Sequence, residues 1–96
     1  MPIFFEIVFQ SADFSFGGRD EVEDPLDEAL RAQDLGEVTG GGTGLGMCNI
    51  DVEVSDAERG LALIRAVLRE LGVASSTRIY QGEPERKTLE VYFQGG

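Results

Sequence analysis

The sequence has no histidine and no tryptophan, and it has only one cysteine. Without histidine, the chain cannot form a Ser-His-Asp or Cys-His catalytic pair, or a zinc site of the usual cysteine and histidine type. Cys48 has no second cysteine with which to form a disulfide. It shares strand parity with Ile50 and Val52, so we expect a buried, inert thiol rather than a nucleophile. These absences predict a non-enzymatic chain with no catalytic residue, cofactor or metal site.

Basic residues are also scarce. The 18 acidic side chains against 8 basic ones give a formal charge of −10 at pH 7. A field of this sign repels phosphate, so we expect the chain to bind neither nucleic acid nor an anionic membrane surface. A basic protein partner is favoured instead. The simpler interpretation is that the acidity only keeps the protein dissolved.

Long hydrophobic runs are absent, since none approaches the roughly 18 apolar residues that a membrane-spanning helix needs. The opening MPIFFEIVFQ lacks the basic flank and cleavage site of a signal peptide, so we expect a cytoplasmic protein. Given 96 residues and 42% apolar composition, residues 1–93 are predicted to form a single α+β domain. The ending LEVYFQGG resembles the sites that viral cysteine proteases cut to remove fusion tags, so residues 94–96 are treated as a tail.

The first half of the chain predicts a strand, a loop and a helix. Apolar residues alternate from Ile3 to Phe9, which is the period of a strand. Residues 11–25, SADFSFGGRDEVEDP, show no sustained period and are predicted to form a loop. At its end Asp24 and Pro25 resemble a helix N-cap followed by proline at the first helical position. Gly36 is predicted to end this helix.

The second half predicts a strand, a helix and a hairpin. Residues 49–54 alternate between polar and apolar, which indicates a strand with one polar face. Ser55 and Glu58 form the S-x-x-E capping box that opens a second helix, and Gly72 ends it. The segments TRIYQ and KTLEVYF, joined by GEPER, then predict a hairpin. Its inward positions are predicted to be Ile79, Leu89, Val91 and Phe93.

The predicted order is strand, helix, strand, strand, helix, strand, strand. Without its last strand this order resembles the ferredoxin-like βαββαβ arrangement. The resemblance implies a two-layer α+β sandwich with two helices on one face of an antiparallel sheet, extended here by an additional C-terminal strand. It covers nearly the whole chain but includes no residue motif. Many unrelated functions use this scaffold, so the resemblance implies no activity.

Five of the seven residues from Gly40 to Gly46 are glycine. Gly41 and Gly46 have the spacing of a phosphate-binding P-loop, but Met47 and Cys48 stand where that motif needs a lysine and a hydroxyl residue. The stretch also leads into a strand rather than into a helix whose N-terminal amides would bind the anion. We therefore expect a long, mobile connection between strands 2 and 3, which serves either as a plain hairpin or as a binding loop.

The sheet face that the helices leave uncovered is the candidate site. Apolar and aromatic residues rimmed by acids suit a protein interface, although alternating acids are often only the wet side of a strand. Acid–base catalysis by Asp51 and Glu53 is the less favoured interpretation. The predicted partner-binding residues are Phe4, Val8, Asp51, Glu53 and Tyr80 on this face, joined by Asp20, Glu21 and Glu23 in the acidic loop before the first helix. Tyr92 is expected on the same face.

Two functions of different classes follow from these features. The first is a small acidic module that docks a basic protein, and in charge and size alone it resembles bacterial immunity proteins. The alternative is a small-molecule-sensing regulatory module of ferredoxin-like fold that acts as a dimer, with its ligand near Gly17 and Gly18 or near residues 40–46. A homodimer contact through Phe4, Val8 and Tyr80 is a further expectation.

Overall fold

The computed structural model describes residues 2–82 and 87–92. This part of the chain forms a five-stranded antiparallel sheet and two long helices, which confirms the α+β sandwich. Most of the connection GEPER, Phe93 and the tail at 94–96 lie outside the described residues. In chain order the elements are β1 (Ile3–Gln10), α1 (Asp20–Ala32), β2 (Gly36–Gly44), β3 (Met47–Val54), α2 (Ala57–Leu71), β4 (Arg78–Gln81) and β5 (Lys87–Glu90), with a short 3₁₀ turn at Ser11–Asp13.

The strands lie in the order β2-β3-β1-β4-β5. Every neighbouring pair is antiparallel. The first four strands have the order expected of a ferredoxin-like sheet, and β5 extends it beside β4. β1 lies at the centre, where its alternate side chains Phe5, Ile7 and Phe9 are completely buried.

Both helices pack on the same face of the sheet as these buried side chains. The helix residues recur three or four positions apart, and the strand residues recur every second position, so each element presents one apolar side. Full burial of a side chain of this size contributes about 1.5–3 kcal/mol. The cluster includes Phe5, Ile7 and Phe9 of β1, Ile50, Val52 and Val54 of β3, Val22, Leu26 and Leu30 of α1, and Ile64 and Leu68 of α2.

α1 begins five residues earlier than the sequence predicted, which corrects the loop expected over residues 11–25. The helix starts at Asp20, and Pro25 lies inside it. Val22 explains the early start, because it is fully buried and lies one turn before Leu26 on the same helix side. The acidic residues of the first turn are favourably placed at the positive end of the helix dipole. α1 also ends before Gly36, which is instead the first residue of β2.

α2 begins and ends with capping residues. Its N-cap is Asp56, whose carboxylate accepts a hydrogen bond from the Arg59 N–H at 3.0 Å. The predicted cap, Ser55, instead donates both its N–H and its hydroxyl to the Leu35 carbonyl. Gly72 follows the helix in the left-handed conformation, φ 76°, as its position predicted.

The glycine-rich stretch is a strand rather than the predicted mobile connection. β2 runs to Gly44 and pairs with β3, with one bulge between Val38 and Gly40. The turn contains only Leu45 and Gly46, both with positive φ, 53° and 75°. Positive φ at both central positions is the signature of a two-residue type I′ hairpin. The expected loop is therefore reduced to two residues.

α1 covers the start of the outer edge of β2. The Asp27 carboxylate accepts a hydrogen bond from the Val38 N–H at 2.9 Å and from Arg31 Nε at 2.8 Å. The backbone hydrogen bond, followed by the Arg31 guanidinium, lowers the pKa of Asp27 despite partial desolvation. An edge strand exposes backbone groups that must find partners, and this carboxylate satisfies one of them.

We expect Leu45→Asn to raise the free energy of unfolding by about 1 kcal/mol, because asparagine adopts the left-handed conformation at lower cost than leucine. Urea unfolding monitored by circular dichroism measures the change. Thr88→Asn, on an exposed strand position, is the control and should bring no gain. Equal or lower stability of Leu45→Asn would contradict the turn geometry.

The Asp27 hydrogen bond predicts a pH-dependent contribution to stability. A carboxyl whose pKa is lowered by folding stabilises the native state above its unfolded pKa, and the effect is lost as pH falls through the folded pKa. Wild type should therefore exceed Asp27→Asn in free energy of unfolding near neutral pH, and the gap should close in acid, below about pH 4. Denaturant titrations over a pH series test this, and a gap of constant size would refute it.

Candidate docking surface on the open sheet face

The face of the sheet opposite the helices, here called the open face, is built by the strand register. On β1 it carries the even-numbered residues, which alternate with the buried ones. Each of these residues lies beside an outward-facing residue of β3, and Glu6 and Val8 also lie beside outward-facing residues of β4. The side chains form four rows across the sheet: Glu37, Glu53 and Phe4; Asp51, Glu6, Tyr80 and Thr88; Asn49, Val8, Arg78 and Glu90; and Met47 with Gln10.

Phe4 is the main apolar feature of the open face, with 52% of its surface exposed. It lies directly opposite Glu53, and in the next row Glu6 lies directly opposite Asp51. Like charges directly opposite each other on neighbouring strands are destabilising. The strand register therefore places the exposed ring of Phe4 beside Glu53, and the next row adds two further carboxylates.

The negative charge of the open face is only partly compensated. Arg31 Nη2 lies 3.0 Å from Glu37 Oε2 at the edge of the face. Arg78 is a basic residue of the face itself, but its Nη1 donates to the carbonyls of Ser75 and Thr77.

Asp51 accepts a hydrogen bond from the Asn49 side-chain amide at 3.1 Å. Among the arginines of residues 2–82, none forms an ion pair with Asp51 or Glu53. The two carboxylates of β3 therefore have no described arginine as an ion-pair partner.

A shallow groove crosses the open face between the first two rows. It has a volume of about 250 Å³, and its lining includes Phe4, Asp51, Tyr80 and Thr39. Gly82 lies beside Phe4 and contributes no side chain, which leaves the groove open there. Pockets for small-molecule ligands usually occupy about 300–1,000 Å³. A groove of this size suits a single protruding side chain better than a whole ligand.

The structure divides the predicted site between two layers. Phe4, Val8, Tyr80 and the two β3 acids share the open face, as the strand parity predicted. Asp20, Glu21 and Glu23 do not join them, since they lie on α1 in the helix layer rather than in a loop.

Two of these three acids make local contacts. Glu21 accepts a hydrogen bond from the Gly18 N–H at 3.0 Å, and Glu23 pairs with Arg19 at 3.1 Å. The acidic run therefore serves the start of α1 and is not part of the open face.

Tyr92 was also expected on the open face, and its hydroxyl lies elsewhere. β5 ends at Glu90, so strand parity no longer applies two residues later. The Tyr92 hydroxyl donates to the Val73 carbonyl, just after α2, at 2.7 Å.

Arg65 and Arg69 of α2 donate to the Glu90 and Val91 carbonyls, both at 2.8 Å. The sequence shows that these two arginines are four residues apart and so lie on one side of a helix. It does not show that they would donate to these two carbonyls.

The glycines of β2 make room for Arg19. A Cβ atom on Gly41 would lie 2.5 Å from the Asn49 carbonyl oxygen and 3.0 Å from Arg19 Nε. The same guanidinium reaches Thr43 Oγ1 at 3.1 Å. The arginine that precedes α1 therefore packs next to Gly41, which gives this glycine a packing role.

Cys48 lies beneath this arginine and is buried, as its parity predicted. Burial raises the pKa of the Cys48 thiol, and the nearby charge of Arg19 opposes the shift only in part. A raised pKa leaves less thiolate at neutral pH, and the thiolate is the reactive form. The geometry thus agrees with an inert thiol.

No family model matches this chain, and no curated protein or solved structure matches it either. In the part of the chain that the structure describes, neither helix is long and apolar enough to cross a membrane. The case for a function therefore depends on the geometry and charge of the open face.

We expect Gly41→Ala to lower the free energy of unfolding by about 1–3 kcal/mol, the usual cost of forcing an extra carbon into a packed site. Gly44→Ala, on the same strand, is the matched control, because nothing lies within 4 Å of a Cβ there. Denaturant unfolding of the two variants separates the close approach of the Asn49 carbonyl and Arg19 at Gly41 from a general loss of glycine flexibility. Equal effects at both positions would contradict this packing role.

Proposed function

We propose that this protein is a non-enzymatic binding module that docks a basic protein partner through the open face of its sheet. The observation that carries the proposal is the pair of β3 carboxylates, Asp51 and Glu53, beside the exposed ring of Phe4. A partner with an arginine- or lysine-rich surface would find both opposite charge and apolar area there. An inhibitor or immunity-like role is the kind of function that this arrangement fits.

The size of the open face suits such an interface. Strands about 4.8 Å apart with up to eight residues of about 3.3 Å each give a face of roughly 20 by 25 Å. A flat area of about 500 Å² is below the roughly 800 Å² that a specific interface buries on each partner, so the face suits a small interface. Apolar contact through Phe4 and Val8 would then need support from charge. The formal charge of −10 supplies it over longer range, because opposite fields speed the encounter of two proteins.

The predicted partner-binding residues lie in two layers, so the docking surface includes only some of them. Since Asp20, Glu21 and Glu23 lie in the helix layer, one flat partner would not contact them together with the open face. We therefore assign docking to Phe4, Val8, Asp51, Glu53 and Tyr80. The α1 acids would contribute only through the overall charge.

The alternative, a dimeric small-molecule sensor, loses the loops on which it depended. Residues 40–44 are paired with β3 rather than free to close over a ligand. The Gly18 N–H is already bound by the Glu21 carboxylate. Neither glycine stretch is therefore a free loop that could fold around a ligand, and the docking module is the better supported of the two.

Charge reversal of the β3 acids tests the docking proposal. We expect Asp51→Lys with Glu53→Lys to weaken retention of a basic protein by about tenfold or more, because two attractions of about 0.2–1 kcal/mol each become repulsions. Retention by wild type should also fall as salt rises, since exposed charges are screened over about 10 Å at 0.1 M. Affinity capture from cells of the source organism, at low and high salt, measures both effects.

The matched control carries the same change of net charge on the other layer. Glu28→Lys with Glu70→Lys alters exposed acids of α1 and α2, and it should retain the partner nearly as well as wild type. If both double variants lost retention of the partner equally, the effect would come from the overall charge and not from the open face. Salt-independent retention, or retention unaffected by reversal at Asp51 and Glu53, would refute docking at this face.

A further inference from the structure

The outer edge of β2 is a strand edge that no other described strand covers. In the described part of the chain, β2 is the last strand of the sheet and pairs only with β3. Alternate residues of such a strand turn their N–H and C=O groups outward, where they can pair with another chain. Proteins usually protect an edge with charged side chains, proline or a covering element. The gaps in that protection therefore show where another strand could add.

The helices protect both edges of the sheet in part. At the β5 edge, Arg65 of α2 donates to the Glu90 carbonyl. At the β2 edge, Asp27 of α1 accepts the Val38 N–H. The protection of β2 stops there, because a bulge follows Val38 and residues 40–44 then continue the strand without a charged side chain. This part of β2, here called the free edge, is open to another strand.

Two residues of the free edge turn their backbone groups outward. In a two-residue turn the flanking residues, here Gly44 and Met47, form a hydrogen-bonded pair, and bonded and non-bonded pairs then alternate along the strands. Gly41 and Thr43 are therefore non-bonded positions, and both are exposed. Arg19 contacts the hydroxyl of Thr43 and not its backbone. Each of the two residues thus directs one N–H and one C=O away from β3.

The glycines of the free edge leave a β3 acid within reach from the side. Gly40 and Gly42 pair with Asp51 and Asn49, so they lie on the open face, where they contribute no side chain. A Cβ at Gly40 would lie 3.7 Å from Asp51 Oδ2, so this carboxylate extends toward β2. A strand added beside β2 would lie about 4.8 Å beyond it. The long stems of lysine and arginine span that width, and their charged groups then meet Asp51.

We propose that an extended segment of a basic protein adds as a further strand along the free edge, with lysine or arginine at alternate positions on the open side. Gly41 and Thr43 supply the main-chain hydrogen bonds, and Asp51 pairs with the basic side chains. Positions on the other side of the added strand meet the Arg19 guanidinium, which favours uncharged residues there. Strand addition of this kind gains affinity from the backbone and specificity from alternate side chains.

This inference rests on the proposed docking function and deepens it, because it gives the form of the partner and the strand along which it binds. Charge argues for a basic segment over a second copy of this chain, since two chains of charge −10 repel each other.

Amide hydrogen exchange of the full chain tests the free edge, with an acetylated and amidated peptide of alternating lysine and threonine, KTKTKTK, as the probe. Exchange at Gly41 and Thr43 should slow when the peptide binds, because their N–H groups gain acceptors. Val38 is the internal reference, since its N–H is already bonded to Asp27. The acidic peptide ETETETE should give no protection. Binding of KTKTKTK without slower exchange at Gly41 and Thr43, or no binding at all, would overturn the proposal.

Proline at the free edge gives a second test. Thr43→Pro removes an outward N–H and no bond to β3, so it should keep the circular dichroism spectrum and bind KTKTKTK about tenfold more weakly. Thr88→Pro is the matched control at the opposite edge. Thr88 lies two residues before Glu90, whose carbonyl points outward to Arg65, so this exposed position shares that orientation. Thr88→Pro should bind as wild type does, and equal binding by Thr43→Pro would contradict strand addition.

The exchange measurement uses wild type, so it decides the question even if Thr43→Pro fails to fold. The same variants separate this inference from the docking function. If Thr43→Pro retains a basic protein that Asp51→Lys with Glu53→Lys loses, the partner lies on the open face alone, and strand addition is overturned while docking stands. If wild type retains no basic protein, both proposals are overturned.

Discussion

The packing of both helices against one face of the sheet is the constraint on which the rest of the structure depends. Phe5, Ile7 and Phe9 bury their side chains under α1 and α2, and strand geometry then turns every intervening residue of β1 the other way. The open face is thus a necessary consequence of the core. The core does not determine which residues occupy the open face. The chain places Phe4 among carboxylates there and does not form a second hydrophobic layer.

Charge is distributed differently on the two layers. In the helix layer acids meet partners close in sequence, as in the pairs of Arg19 with Glu23 and Arg31 with Asp27. On the open face Arg78 is engaged by backbone carbonyls, and no described arginine pairs with Asp51 or Glu53. Local ion pairs of this kind contribute little to stability. Exposed acids of the helix layer such as Glu28 and Glu70 also form no ion pair among the described residues, so uncompensated negative charge lies on both layers.

Strand parity and helical spacing were enough to predict the sandwich and to place five of the predicted docking residues on one face of the sheet, because burial decides which way strand side chains point. Failures occurred where a tertiary contact overrides local preference. α1 begins before Pro25 because Val22 is needed in the core. Residues 40–44 form a strand because they pair with β3, and Gly41 lies where a Cβ would clash with the Asn49 carbonyl. Tyr92 departs from its predicted position because β5 ends early, which no local pattern in the sequence marks.

The central claim is that one face of the sheet is bare, and two adjacent phenylalanines report on it directly. Phe4 is 52% exposed on the open face, whereas Phe5 is 1% exposed beneath the helices. Hydroxyl-radical footprinting with residue-level mass spectrometry should therefore find Phe4 oxidised rapidly and Phe5 protected. Protection of both rings in the isolated chain would mean that the face is covered, and the account of this protein as a docking module would be contradicted.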